Sequence, residues 1–279
     1  MLFRSIVDEQ HRFGVLQRQL LKDKGYNPHC LFMTATPIPR SFMLTCYGDL
    51  DKTVIHELPP GRKQPLTQQF KDSQMREVYE FCRQRLQNKE QVYIVYPLVE
   101  ESEKIDLKSA IEGWEYLQQS VFKEFNVGLI HGRLNPDEKT KAMDEFKENK
   151  LQLLVATTVI EVGIDVPNAT TMVVMHADRF GLSQLHQLRG RVGRGGTESF
   201  CFLIANPKTE TGKQRLSAML ETSDGFKIAE YDLKIRGPGD VMGVRQSGMP
   251  EFKLADIVRD EQILLEARMS AFNIQIGRA

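Results

Sequence analysis

The sequence predicts an α/β fold in which helices cover both faces of a parallel β-sheet. Two short runs, residues 91–99 and 151–156, are almost continuously apolar, whereas residues 73–86 place apolar side chains at helical spacing. Strands that are buried on both faces lose the alternation of polar and apolar residues, as these runs do. Because helical segments separate such strands, neighbouring strands are expected to run parallel.

The other elements repeat this alternation along the chain. Further strands are expected at residues 1–7, 31–33, 66–70, 127–130, 171–175 and 200–205. Further helices are expected at residues 109–125, 136–146, 208–220, 226–235 and 254–272, with a charged loop at residues 100–108. The clearest helix start is Asn135-Pro136-Asp137-Glu138, which combines a capping side chain with a proline in the first turn.

Three regions are expected along the chain: residues 1–58, 59–206 and 207–279. The first boundary falls in Glu57-Leu58-Pro59-Pro60-Gly61-Arg62-Lys63, because proline and glycine favour a hinge over a regular element. In the last region, two helices joined at Ser223-Asp224-Gly225 predict a helical hairpin. A loop and a last amphipathic helix follow it.

Bulk composition gives little information about partners. The 279 residues include 37 Lys+Arg and 37 Asp+Glu, so any nucleic-acid surface has to be a local patch. The four cysteines show no paired spacing, which argues against a zinc site or a disulfide framework and favours a reducing cytoplasm. No apolar run approaches the ~20 residues of a membrane span, so no membrane partner is expected.

Arginine and glycine alternate within residues 184–195, which contain Arg189, Arg191 and Arg194. A guanidinium group is a planar, permanently charged donor that suits phosphate oxygens. Glycines permit a tight backbone and the close approach of a bulky ligand. This arginine-rich segment therefore predicts a polyphosphate site, and a basic turn on a solvated face is the alternative.

Two carboxylates follow the first apolar run. Asp8 and Glu9 stand directly after it, and a buried strand that ends in two carboxylates is a common platform for a hydrated magnesium ion. One carboxylate can hold the metal shell while the other orients a water, and an acidic turn is the alternative. Thr34 and Thr36 follow the next strand, where they either couple two sites by hydrogen bonds or cap a turn.

Several other polar residues come directly after predicted strands, as His131 and Thr157 do. Parallel sheets bind ligands at the carboxyl ends of their strands, and the arginine-rich segment is expected at that same edge. Beyond Thr157, Gly163 permits a close ligand, and Asp165 can bond a ribose hydroxyl or orient an arginine. A strand, turn and helix with an incidental aspartate is the alternative there.

The sequence contains no G-x-x-x-x-G-K-[ST] phosphate-binding loop. Carboxylates that suit water activation and arginines that suit the opposite side of a nucleotide are both present. The first strand also begins within a few residues of Met1. These features predict a two-lobed motor with ATP between its lobes, and most of the first lobe would lie outside this sequence. The chain by itself is then expected to hydrolyse ATP little or not at all.

Four segments stand in the order found in the superfamily-two helicases and DNA translocases: residues 8–11, 34–37, 157–167 and 184–195. More specifically, four overlapping segments resemble the RecG family of bacterial branched-DNA helicases: residues 7–14, 34–40, 180–195 and 235–248. The transcription-repair coupling factors share the arginine-rich segment and the hairpin, whereas residues 236–240 and 245–248 favour RecG. The resemblance covers essentially the whole chain as the carboxyl-terminal part of a RecG protein.

This resemblance implies a RecA-like architecture. Residues 1–58 would be the remnant of a first RecA-like lobe, and residues 59–206 would be the second lobe, the helicase C-terminal domain. Residues 207–279 would form a helical hairpin and loop that act in translocation. An amino-terminal lobe and a wedge domain would lie outside this sequence.

The resemblance also implies residue roles. Asp8 would serve magnesium and Glu9 the attacking water, while Arg191 and Arg194 would act as arginine fingers on the transferring phosphoryl group. The residues that would face the nucleotide are Gly163, Asp165 and Gln187. Those that would couple the nucleotide to DNA movement are Gln10, His11, Thr34 and Thr36. The positions implied for DNA contact and translocation are His131, Thr157, Arg215, Arg236 and Gln246.

The activity that the resemblance implies is ATP-dependent remodelling of branched DNA, by fork regression and junction migration in repair and recombination. Its cofactors would be ATP and Mg²⁺. Its partners would be branched or duplex DNA, the amino-terminal lobe and the wedge domain. A module that binds duplex DNA or a protein without nucleotide chemistry is the alternative function.

Overall fold

The computed structural model describes residues 4–9, 20, 29–34, 53–55, 57, 61–98, 103–157, 166–236 and 260–276. Within these residues lie a six-stranded sheet and a two-stranded sheet. Every strand pair in both sheets is parallel. The predicted α/β fold with a parallel sheet is therefore confirmed.

The strands are β1 (Arg4–Val7), β2 (His29–Phe32), β3 (Leu66–Phe70), β4 (Gln91–Tyr96), β5 (Val127–Ile130), β6 (Leu153–Thr157), β7 (Ala169–Val174) and β8 (Phe200–Ile204). The helices are α1 (Met75–Gln87), α2 (Glu103–Tyr116), α3 (Pro136–Lys147), α4 (Leu182–Arg189), α5 (Glu210–Glu221), α6 (Gly225–Arg236) and α7 (Glu261–Ile276). The start of α3 follows the sequence signal, because the Asn135 side chain accepts a hydrogen bond from the Glu138 amide at 2.8 Å.

The larger sheet has the strand order β3-β8-β7-β4-β6-β5. Its three central strands, β7, β4 and β6, are buried along their whole length, which explains their unbroken apolar runs. In register, Val92 of β4 pairs with Leu153 of β6 on one side and with Thr171 of β7 on the other.

Helices cover both faces of this sheet, and each face has its own core. Tyr93 and Val95 of β4 belong to one core, while Val92 and Ile94 belong to the other. Helices α3, α4, α5 and α6 contribute to the first core, and α1 and α2 contribute to the second. Burial of each large aliphatic or aromatic side chain in these cores adds roughly 1.5–3 kcal/mol to the free energy of unfolding.

The prediction of a charged loop at residues 100–108 is wrong, because α2 begins at Glu103. Asp106 is only 4% exposed and pairs with Arg179, which donates to its two carboxylate oxygens at 2.7 and 3.0 Å. The partner of this buried carboxylate is 73 residues away in sequence. Its sequence neighbours alone therefore suggest an exposed loop residue. The helix then continues into a π-helical turn at Leu117–Val121.

The smaller sheet consists of β1 and β2, the two strands expected in the first region. Their register pairs Val7 with Phe32, so both strands end at the same edge. Whether residues 58 and 206 are domain boundaries stays a prediction. None of the helices among the described residues is long and apolar enough to cross a membrane.

Candidate functional site

Residues 190–196, here called the arginine loop, begin where α4 ends. Gly190 is the capping residue of that helix, and two guanidinium groups donate to its carbonyl oxygen. Arg62 Nη2 donates at 2.9 Å and Arg194 Nε at 3.3 Å. Arg194 is exposed and Arg191 is partly buried. The start of the loop is therefore held by hydrogen bonds, while the Arg194 side chain still reaches the surface.

The arginine loop lies at the amino-terminal edge of the larger sheet. A Cβ on Gly193 would lie 3.2 Å from the Lys63 carbonyl oxygen, and a Cβ on Gly195 would lie 2.5 Å from that of Pro167. Lys63 and Pro167 precede β3 and β7. The expectation that this segment lies at the carboxyl edge is wrong, because α4 returns the chain across the sheet from the end of β7 to the start of β8.

Glycines are needed in this loop for packing inside the protein. Gly193 has a φ of +79°, a backbone conformation that side chains rarely adopt. A Cβ at this position would also clash with Ser199 Oγ. At Gly195, the obstructing atom is the Pro167 backbone. Close approach of the loop to its own sheet therefore accounts for both glycines.

Arg189 serves the fold, so its interpretation as a phosphate-binding arginine is wrong. It is 3% exposed, and its Nη1 donates to the carbonyl oxygens of Met219 and Thr222, both at 3.0 Å. These carbonyls lie at the carboxyl end of α5, where the helix dipole also favours a positive charge. Burial lowers the pKa of Arg189. The residue ties α4 to the helical hairpin formed by α5 and α6.

His186 lies one turn before Arg189 and is mostly buried. Its Nδ1 lies 3.1 Å from Arg189 Nη2, so the imidazole accepts this hydrogen bond and carries its proton on Nε2 when neutral. Burial, followed by the charge of Arg189, lowers the pKa of His186 to about 4. Gln187, on the same helix, is partly buried.

A second group of predicted residues lies at the carboxyl edge of the sheet. Ile130 of β5 pairs with Ala156 of β6, so His131 and Thr157 occupy neighbouring ends. His131 Nδ1 and Thr157 Oγ1 are both buried, and neither has a hydrogen-bond partner among the described residues. The pKa of His131 is lowered by burial first and then by the charges of Lys139 and Arg133. Lys139 and Arg133 thus place positive charge beside this imidazole, and Glu138 acts on its pKa in the opposite direction.

The structure also brings Asp8, Glu9 and Thr34 to one edge of the smaller sheet. The Met33 amide donates to the Val7 carbonyl oxygen at 2.7 Å, so the residues that follow β1 and β2 begin side by side. Asp8 is exposed and accepts from the Glu9 amide at 2.9 Å. Glu9 has a positive φ of 50°, which turns the chain sharply after the strand.

The hairpin helices carry the remaining predicted positions that are described. Arg215 lies on α5, and its Nε is buried without a hydrogen-bond partner among the described residues. Tyr231 of α6 donates to a Glu221 carboxylate oxygen at 2.8 Å and joins the two helices. Arg236 ends α6, but its side chain lies outside the described part of the chain.

The other predicted site residues also lie outside the described residues: Gln10, His11, Thr36, Gly163, Asp165 and Gln246. Sequence reasoning missed two contributions, namely the contact of Arg62 with the arginine loop and the buried pair of His186 and Arg189. The presence of Arg62 in the hinge segment was visible in the sequence. Nothing local, however, indicated which residue it contacts.

Two family models match the chain. The helicase conserved C-terminal domain matches residues 71–196. The carboxyl-terminal part of domain 3 of the ATP-dependent DNA helicase RecG matches residues 222–276. The first match contains both the arginine loop and the carboxyl-edge group, and the second contains the whole of α6 and of α7.

Relatives of high identity extend over nearly the whole chain. It is 54% identical over 269 residues to the ATP-dependent DNA helicase RecG of Bacillus subtilis (strain 168), covering 96% of this chain and 39% of that protein. It is 55% identical over 271 residues to the RecG helicase of Thermotoga maritima, covering 97% of this chain and 35% of that protein. The chain therefore spans less than two fifths of the length of these relatives.

Solved structures agree with these matches. RecG bound to a three-way DNA junction superposes with a TM-score of 0.71 at 51% identity, over 94% of this chain and 33% of that chain. Dbp5 of S. cerevisiae bound to RNA and ADP BeF3 superposes with a TM-score of 0.55 at 15% identity, over 85% of this chain and 64% of that chain. The second likeness concerns the RecA-like fold alone. The chain belongs to the RecG family of helicases, and it corresponds to the carboxyl-terminal part of its members.

Proposed function

We propose that this chain is the carboxyl-terminal motor half of an ATP-dependent translocase that remodels branched DNA in the bacterial cytoplasm. The observation that carries the proposal is the arginine loop, a pair of arginines on a backbone that is held rigidly at the amino edge of a RecA-like sheet. The RecG structure of 51% identity, which is bound to a three-way DNA junction, supports branched DNA as the partner.

The amino edge is the proposed nucleotide face. Arg191 and Arg194 would stabilise the charge that develops on the transferring phosphoryl group. Gly163 and Asp165 stand a few residues before Pro167, whose carbonyl oxygen contacts Gly195. These two residues would face the nucleotide, and Gln187 would sense it from α4.

Asp8 and Glu9 fit a magnesium site on the opposite lobe. Both carboxylates follow a strand, and the exposed Asp8 offers oxygen atoms, which are the ligands that Mg²⁺ prefers. Bound Mg²⁺ would neutralise phosphate charge, with Asp8 holding its hydration shell. Glu9 would orient the attacking water, and Gln10, His11, Thr34 and Thr36 would link this side to DNA movement.

The carboxyl edge is the proposed DNA face of the lobe. Thr157 Oγ1 and His131 Nδ1 are buried and have no hydrogen-bond partners among the described residues, so a phosphate group could satisfy donors at these positions. Arg133 and Lys139 add positive charge beside His131. Phosphate binding by such groups positions DNA without reading its sequence.

The hairpin is the proposed transmission element. Arg189 joins the helix that precedes the arginine loop to the end of α5, so a shift of the loop would move the hairpin. Arg215, Arg236 and Gln246 would then act on duplex DNA. The motion of one lobe against the other would in this way be converted into translocation.

The test is the affinity of the complete protein for branched DNA across a series of salt concentrations, with and without an ATP analogue. We expect affinity to fall steeply with salt, because Lys and Arg contacts displace counterions from DNA, and to change when the analogue binds. If the affinity for branched DNA depends neither on salt nor on the ATP analogue, the alternative is favoured, namely a module that binds a protein partner without nucleotide chemistry.

The 279-residue chain alone should hydrolyse ATP little or not at all, because its sequence contains no phosphate-binding loop. A coupled ATPase assay on the purified chain with branched DNA checks this expectation. Robust turnover by the chain alone would contradict it.

A further inference from the structure

The segment that enters the larger sheet is docked along the arginine loop. Arg62 Nη2 donates to the Gly190 carbonyl oxygen at 2.9 Å. A Cβ on Gly196 would lie 3.3 Å from the Gly61 carbonyl oxygen, and a Cβ on Gly193 would lie 3.2 Å from the Lys63 carbonyl oxygen. Three consecutive residues of the entering segment therefore contact three residues of the loop.

Only one of these contacts is made by a side chain. Gly61 and Lys63 approach the loop through their backbone carbonyls. The Lys63 side chain therefore matters little for this contact, while the positive φ of Gly61 (+79°) favours glycine there. Arg62 reaches the loop with its guanidinium group and crosses 128 residues of sequence to do so. The specificity of the docking therefore depends on Arg62.

The atom that Arg62 bonds is well placed to control the loop. Gly190 caps α4 and stands directly before Arg191. Its carbonyl oxygen also accepts from Arg194 Nε at 3.3 Å, and a carbonyl has two lone pairs for two such donors. Arg62 thus fixes the oxygen that Arg194 uses as its own anchor.

The position of Arg62 in the chain adds a mechanical role. It lies four residues before β3, in the Pro/Gly segment expected to connect the two lobes. The Arg62 side chain would transmit a rearrangement of that connector to the Gly190 carbonyl group.

We propose that Arg62 is a positioning residue for the arginine fingers, holding the Gly190 carbonyl so that Arg191 and Arg194 are presented to the nucleotide in a productive direction. This inference rests on the proposed function of the arginine loop. Displacing a catalytic group by about 1 Å can lower turnover by about a hundredfold, so loss of the Arg62 contact should act on kcat.

The experiment measures ATP turnover by the complete RecG-type protein with saturating branched DNA. Arg62→Ala should lower kcat by roughly tenfold to a hundredfold, with KM for ATP and Kd for the junction within about twofold. Arg62→Lys keeps the charge and one donor, so it should recover part of kcat. Lys63→Ala is the matched control, because it removes a neighbouring positive charge and keeps the backbone contact.

A double-mutant cycle separates positioning from general weakening of the fold. In an Arg194→Lys background, Arg62→Ala should lower kcat much less than it does in the unmodified protein, because both changes act on one anchor. Equal losses in the two backgrounds would overturn the proposal, as would full turnover by Arg62→Ala. If Arg62→Ala does not fold, Arg62→Lys decides, and unchanged turnover in both backgrounds would count against positioning.

Failure of the parent assignment gives a different result. If Arg194→Ala itself leaves turnover unchanged, the arginine loop is not the source of the fingers and the proposed function fails. If Arg194→Ala abolishes turnover while Arg62→Ala does not lower it, only the role of Arg62 fails.

Discussion

The two edges of the larger sheet differ in how their polar groups are satisfied. At the amino edge, the arginine loop is held by Arg62, packed against Pro167 and tied to the hairpin through Arg189. At the carboxyl edge, His131 Nδ1 and Thr157 Oγ1 are buried without hydrogen-bond partners among the described residues. The predicted site residues of the amino edge are thus anchored by internal hydrogen bonds and those of the carboxyl edge are not, although Ser199 Oγ at the amino edge also lacks a partner among the described residues.

If the proposed function holds, this difference teaches how one lobe would serve two ligands. Stabilising a developing charge requires groups that are fixed before the reaction begins, and the bonded amino edge provides such rigidity. Gripping and releasing a moving DNA strand requires groups without competing internal bonds, as the carboxyl edge provides.

The largest effect is expected at the amino edge. In the complete protein, Arg194→Ala or Arg191→Ala should lower ATP turnover by about a thousandfold or more, while the Kd for branched DNA stays largely intact. Steady-state ATPase rates and fluorescence anisotropy provide the two numbers. Equal losses of ATP turnover and of DNA affinity would contradict the functional division between the two edges.

A second effect concerns pH. The pKa of His186 is about 4 in the folded chain, against about 6.5 in an unfolded chain. The unfolded state therefore takes up a proton below pH 6.5 that the folded state refuses, and stability falls as pH drops from 6.5 towards 4. The full shift corresponds to about 3 kcal/mol. Urea unfolding of the chain at several pH values should show a shallower decline for His186→Gln, and parallel curves would refute this.

A third effect tests the packing of the arginine loop. Gly195→Ala places a Cβ 2.5 Å from the Pro167 carbonyl oxygen, so the loop or the segment before β7 has to move. We expect a loss of about 1–3 kcal/mol in unfolding free energy, measured by urea denaturation. Thr197→Ala, an exposed change in the same connection, is the control and should be nearly neutral. If the two variants are equally stable, the loop is looser than its contacts imply.

The smallest effect is expected at the carboxyl edge, where its sign is informative. Thr157→Val removes a buried hydroxyl that lacks a hydrogen-bond partner among the described residues. The change should leave the chain equally stable or more stable by about 1 kcal/mol. The same change in the complete protein should weaken DNA binding. A destabilised Thr157→Val chain would mean that this hydroxyl is satisfied internally.

The sequence was sufficient to predict the fold because the signals were local. The apolar run that forms β4 follows from burial on both faces, and the capped start of α3 follows from Asn135 and Glu138. Periodicity and capping depend on neighbours within a few residues. Both can therefore be recognised from the sequence without knowledge of the tertiary structure.

The errors share a different cause, because each depends on a distant partner. The sequence neighbours of Asp106 predict a loop, whereas its charge is matched by Arg179 across 73 residues. The arginine-rich pattern predicts a phosphate ligand for Arg189, whereas this side chain caps carbonyls at the end of α5, 30 residues away. The arginine loop was placed at the wrong edge because the rule for ligands of parallel sheets ignores the return path of α4. The roles of the individual site residues stay predictions.

The contact between Gly195 and the Pro167 carbonyl oxygen has a consequence for sequence variation. The obstructing atom belongs to the main chain, so no exchange of the amino acid at position 167 can remove it. A larger residue at 195 has no compensating substitution available there, and relief would need a shift of the main chain. Substitution of Gly195 should therefore not be tolerated, even in related proteins whose surrounding side chains have diverged widely.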